Sequence, residues 1–223
     1  KSSATRQGWL ADPMRARGIV IALLAGLLCV PALTPRACAQ TEYPGGAYIN
    51  PFPEGDVYRL QAFGDAFADG LLNGLAEGFA GDTRVDLVRK ARTIPGLLRP
   101  EFEEEMRVQE AAREPLHVAI VMVGIWDRIV LRLPNGRRAV VNSAEWREEY
   151  GRRVDRLLKA LRRRNVSIYW VGQPIMRRPD LNDDVQVMND VVRQKAYLNG
   201  VKYIDIQQQF ADENGQFSQY GPD

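Results

Sequence analysis

Histidine and cysteine are almost missing from this chain: its 223 residues hold one histidine, His117, and two cysteines, Cys29 and Cys38. A single histidine leaves one candidate imidazole base. Because both cysteines fall within the first 38 residues, everything beyond them is free of disulfides, thiolate metal sites and cysteine nucleophiles. Charge of one sign is scarce too, with 30 basic against 28 acidic residues. That balance gives no reason to expect nucleic acid as a partner. The apolar run over 18–30 is about thirteen residues, short of the roughly 20 that cross a bilayer as a helix.

What is present at the N-terminus reads as an export signal. Met14 opens a basic stretch with Arg15 and Arg17, the apolar run follows, and Ala37-Cys38-Ala39 supplies small residues where a signal peptidase cuts. Cleavage after Ala39 is expected, placing the mature protein in the periplasm or outside a bacterium with no stable membrane insertion. Residues 1–13 precede the methionine and carry no fold argument. Removing 1–39 takes away five basic residues and one acid, leaving 25 against 27 and a net charge of −2. Residues 40–56, rich in Pro, Gly and aromatics without periodicity, read as an extended lead-in to a domain spanning 57–223.

Within that domain strands and helices alternate. A strand over 57–63 ends at the Gly64-Asp65-Ala66 turn, and a helix follows in which Phe67, Leu71, Leu75 and Phe79 share a face. Further strands are expected at 85–88, 116–123, 166–171 and 201–206. The third is almost unbroken apolar sequence, the pattern of a strand covered on both faces of a parallel sheet. Helices are expected over 101–113, from a capping box at Asn142 and Glu145 to Arg164, and over 184–198. The charged face of the second of these reads as solvated surface. Alternation of this kind, with right-handed crossovers, predicts a doubly wound sheet.

In such a sheet a site forms where the carboxyl ends of the strands meet their loops. Here those loops are Gly64-Asp65-Ala66, Gly124-Ile125-Trp126-Asp127 and Gly172-Gln173-Pro174. Gly64-Asp65-Ala66-Phe67-Ala68-Asp69-Gly70 resembles the first block of the SGNH (GDSL) hydrolases, and Gly124 to Asp127 sits where that superfamily has its GxND block. The 169–176 and 210–215 stretches are similar to an exported, largely uncharacterised group within it. The resemblance covers 57–223 and implies an α/β fold, a flavodoxin-like three-layer α/β/α sandwich with a doubly wound parallel sheet. It also implies a serine nucleophile, an oxyanion hole and a late Asp-x-x-His segment.

Carried over residue by residue, the resemblance leaves no catalytic set intact. The nucleophile position is Ala66, the oxyanion positions are Gly96 and Trp126, and no Asp-x-x-His segment precedes Asp223. That segment is expected beyond Asp223, so the domain is expected to lack its C-terminal part. His117, at the start of the third strand, reads as a packed strand histidine rather than a general base. Ser143 lies at a helix start and Ser167 in a strand. Asp65 and Asp127 read first as acceptors for turn amides, with a shared cation as the weaker alternative. Gly64, Asp65, Ala66, Gly124, Trp126 and Asp127 are the candidate ligand-binding residues, with no metal and no cofactor. Trp126 either fills the volume of a lost site or offers a flat face to a sugar ring.

The function expected is an exported SGNH-like protein without serine esterase activity, retained to bind envelope glycan or acylated polysaccharide. The alternatives are an ester hydrolase with a non-standard nucleophile and a protein-interaction scaffold.

Overall fold

The computed structural model describes residues 54–90, 93–133 and 135–219. The expected signal and its two cysteines, and all but the last three residues of the lead-in, lie outside them. Five parallel strands form the sheet: β1 (Tyr58–Gly64), β2 (Val85–Val88), β3 (Val118–Met122), β6 (Ser167–Val171) and β7 (Lys202–Ile204), in the order β2-β1-β3-β6-β7. Two further strands, β4 (Leu131–Arg132) and β5 (Arg138–Ala139), form a separate antiparallel hairpin. The connecting helices are α1 (Ala66–Gly78), α2 (Phe102–Ala111), α3 (Ala144–Arg162) and α4 (Pro179–Leu198).

The strand order fixes the layers. The chain moves from β1 to β2 in one direction and from β2 through β3 and β6 to β7 in the other, so right-handed crossovers put α1 on one face and α2, α3 and α4 on the opposite face. This is the doubly wound α/β/α arrangement, with its switch point between β1 and β3. The three-helix side holds the main core. There Phe63, Val121 and Trp170 from the sheet meet Phe102, Trp146, Tyr150 and Leu157 from the helices, all 0% or 1% exposed. Trp146 and Tyr150 stack with ring centroids 4.7 Å apart. Each such side chain contributes about 1.5–3 kcal/mol by leaving water. On the other face Ala68 of α1, Met122 and Val171 make a smaller cluster, because successive strand residues such as Val121 and Met122 point to opposite sides.

Two helix starts and one hairpin differ from expectation. The cap of α3 is Ser143, whose side chain accepts from the Trp146 N–H, while Asn142 sits outside at φ +71°. The Asn142–Glu145 capping box therefore does not form. Helix α4 starts five residues early, at Pro179, because proline is at home in a first turn whose N–H needs no intrahelical acceptor. The β4–β5 hairpin was not expected, since strands of two residues carry no periodicity. Its Asn135-Gly136 turn is nonetheless a hairpin signal in the sequence, with Gly136 at φ +80°.

Candidate functional site

Three loops converge at the carboxyl end of the sheet, and side-chain-to-backbone hydrogen bonds close them into a ring. The first loop begins where β1 ends, at Gly64 with φ +150°. A side chain there would be driven into the Met122 carbonyl of the neighbouring strand, so only glycine fits. The Gly64 N–H donates to Thr93 Oγ1 at 3.0 Å, and the Ile94 N–H donates back to the Gly64 carbonyl. These bonds tie the β1 turn to the loop between β2 and α2.

Asp65 then caps α1. Its Oδ1 accepts from the Phe67 N–H at 3.0 Å, while its Oδ2 accepts from the N–H groups of Gly124 and Ile125 at 2.8 and 3.0 Å. One carboxylate thus holds its own helix and the turn after β3. Asp127 completes the ring: its two oxygens accept from Leu97 and Leu98 N–H, both at 2.9 Å. Gly96 is required for that approach, because a Cβ there would stand 2.6 Å from Asp127 Oδ1.

Both carboxylates are buried, Asp65 at 1% and Asp127 at 0% exposed. Burial pushes the Asp65 carboxyl above its ordinary range, opposed by its amide donors. At Asp127 burial raises the value to about 7, against the pull of the Leu98 and Leu97 amides and with a further push from Asp65. Both carboxylates are taken up by backbone amides. They point inward, because orphan turn amides in a dry interior need acceptors.

Beneath the ring lie further polar groups. Gly124, at φ +141°, leaves room for the Gln173 carboxamide and the Tyr150 hydroxyl, either of which a Cβ would strike. Gln173 is locked by a reciprocal pair, its backbone N–H donating to Asn189 Oδ1 and its backbone carbonyl accepting from Asn189 Nδ2, both at 2.9 Å. The Tyr150 hydroxyl is fully buried, which pushes its titration well above the ordinary value. Thr93, Tyr150 and Asn189 carry no motif, and only the tertiary structure brings them here.

The positions that the resemblance marked for chemistry have other surroundings. Ala66 is exposed at the first residue of α1, and Asp65 claims the Phe67 amide but not the Ala66 amide. Trp126 is 54% exposed, so it does not plug a buried void. Gly96 serves the Asp127 bracket. His117 lies at the opposite end of the sheet, just before β3; its Nδ1 accepts from the Arg59 N–H at 2.8 Å and its backbone N–H donates to the Arg59 carbonyl. A five-residue strand separates it from the rim, about 17 Å at 3.3 Å per residue. His117 is therefore a strand-pairing histidine. Ser143 caps α3, and Ser167 is buried in β6. Among the described residues no group of three or more His, Cys, Asp or Glu is placed to hold a metal ion. No described helix is long and apolar enough to cross a membrane.

No curated protein matches the chain in sequence. Among solved structures it is similar to a lipase/acylhydrolase from Enterococcus faecalis, with 12% identity, TM-score 0.48, and coverage of 73% of this chain and 88% of that one. It is also similar to a member of the lipolytic protein G-D-S-L family from Veillonella parvula DSM 2008, with 13% identity, TM-score 0.46, and coverage of 69% and 80%. A third is Axe2, an acetylxylan esterase from Geobacillus stearothermophilus, with 15% identity, TM-score 0.45, and coverage of 72% and 87%. Residues 59–223 match the family described as protein of unknown function (DUF459), and the chain belongs to that family.

Proposed function

We propose that this is an exported binding protein on an SGNH-hydrolase-like scaffold, without serine esterase activity, whose rim takes a sugar ring of an envelope glycan. The observation that carries the reading is the fate of the rim. Its nucleophile position is the methyl group of Ala66, and its two carboxylates are engaged by five backbone amides. Removing a catalytic serine costs on the order of a million-fold in rate in a well-studied triad enzyme. His117, the one imidazole among the described residues, lies about 17 Å away along β3. What the rim still offers is recognition: an open indole face at Trp126 beside a ring of fixed loops.

Calorimetric titration with acetylated and deacetylated envelope polysaccharide tests this reading. Heat from the parent protein and its loss in Trp126→Ala are expected. No heat from either protein, or a fluorophosphonate adduct mapped to any side chain, overturns it.

A further inference from the structure

The hairpin between β3 and α3 stands apart from the main sheet and carries an alternation of its own. Residues 128–141 hold four arginines and no acid, although the whole chain is nearly balanced at 30 basic and 28 acidic residues. Leu131, Leu133, Ala139 and Val141 turn inward onto the main core. Because strand side chains alternate, Val130, Arg132, Arg138 and Val140 turn outward, and the two valines are 41% and 55% exposed. The register sets Arg132 directly opposite Arg138. Like charges in that position destabilise a strand pair. Among the described residues neither arginine has an acid within ion-pair distance, whereas Arg137 takes Glu145 and Arg128 takes Asp180 and Asp184. The hairpin is nonetheless held in place. The Trp146 Nε1–H donates to the Ile129 carbonyl at 3.1 Å, and the Leu133 N–H donates to the Arg137 carbonyl at 2.9 Å.

We propose that this outward face of the hairpin is a membrane-contact surface that takes the anionic headgroups of a phospholipid layer. Two guanidinium groups fixed side by side repel each other in the free protein, and a layer of phosphates turns that repulsion into attraction. Each arginine can meet a phosphate as a planar fork. Val130 and Val140 beside them offer short apolar side chains to the boundary between headgroups and acyl chains. A soluble acidic glycan fits less well. Sugar rings stack on flat aromatic faces, and residues 128–141 contain no aromatic residue. The contact is peripheral, since no described helix is long and apolar enough to cross a membrane. Each arginine near an anionic surface strengthens binding only about fivefold. The surface is separate from the Trp126 rim and does not depend on any ligand there.

Vesicle co-sedimentation tests this with the full chain from residue 40 onward, so that the apolar run over 18–30 contributes nothing. Phosphatidylcholine vesicles carrying about 30% phosphatidylglycerol are expected to take up the protein and phosphatidylcholine alone is not, with uptake falling as salt rises from about 0.05 M to about 0.5 M. Arg132→Gln combined with Arg138→Gln should weaken uptake by about tenfold or more. Arg132→Glu sets an acid opposite Arg138, so it should weaken uptake while the unfolding midpoint holds or rises. Equal uptake by neutral vesicles, uptake of either variant at the parent level, or loss confined to a variant with a lowered midpoint overturns the proposal. Binding to soluble alginate with none to vesicles overturns it as well.

Discussion

A Cβ on Gly96 would stand 2.6 Å from Asp127 Oδ1, and the absence of that carbon lets the carboxylate reach the Leu97 and Leu98 amides. The family resemblance casts Gly96 as an oxyanion donor; the structure gives it a steric duty. Gly96→Ala is expected to destabilise the domain by about 1–3 kcal/mol through overpacking, and Asp127→Ala by about 2–5 kcal/mol through two orphaned buried amides. Urea unfolding checks both, and values below about 0.5 kcal/mol, the scale of an ordinary surface substitution, would refute the bracket.

Stability is expected to fall as pH rises from about 4 to 7. Asp127 titrates near 7 in the folded chain, above its ordinary value of 3.8, because burial disfavours the charged form. The folded state then holds a proton that the unfolded state has released, so this group's contribution is complete below 3.8 and is lost as pH passes through about 7. Asp65 is shifted in the same direction. The slope from Asp127 is at most about 1.4 kcal/mol per pH unit. Asp127→Asn should flatten it in unfolding curves taken at several pH values; an unaltered slope would assign the dependence elsewhere.

Asp65→Ala should cost about 3 kcal/mol or more, since one change removes the α1 cap and the acceptor for the buried Gly124 amide and the part-buried Ile125 amide. Asp65→Asn should cost less, as one acceptor oxygen remains. Equal losses in thermal denaturation for the two variants would contradict the hydrogen-bond account.

Restoring a hydroxyl should not restore chemistry. Ala66→Ser places a serine at the exposed start of α1, yet among the described residues the one histidine is bonded to Arg59 at the far end of β3. No fluorophosphonate labelling and no hydrolysis of para-nitrophenyl acetate above the parent are expected. Stoichiometric labelling of the introduced hydroxyl in Ala66→Ser would show that a base reaches the rim.

The alternation of apolar strands and amphipathic helices made the layered α/β fold legible, because burial on both sheet faces imposes a continuous pattern on β3 and a stripe on α3. Of the rim, the glycine turns at Gly64 and Gly124 were legible, since positive φ at both restricts the residue type. The inward aim of Asp65 and Asp127 was less so. Whether a turn aspartate faces solvent or caps distant amides depends on partners 59 or 30 residues away, and composition does not encode those pairings.

By itself, then, the sequence determined the order of elements, the alanine at the nucleophile position and the lone histidine's place before β3, because these follow from residue identity and local periodicity. Only the tertiary structure decided that Thr93, Asp65 and Asp127 lock three loops into one ring, that Trp126 stands open, and that an apolar cleft forms beside α1. Those outcomes depend on which backbone amides and apolar surfaces meet after the sheet assembles, a matter of distances between segments far apart in the chain.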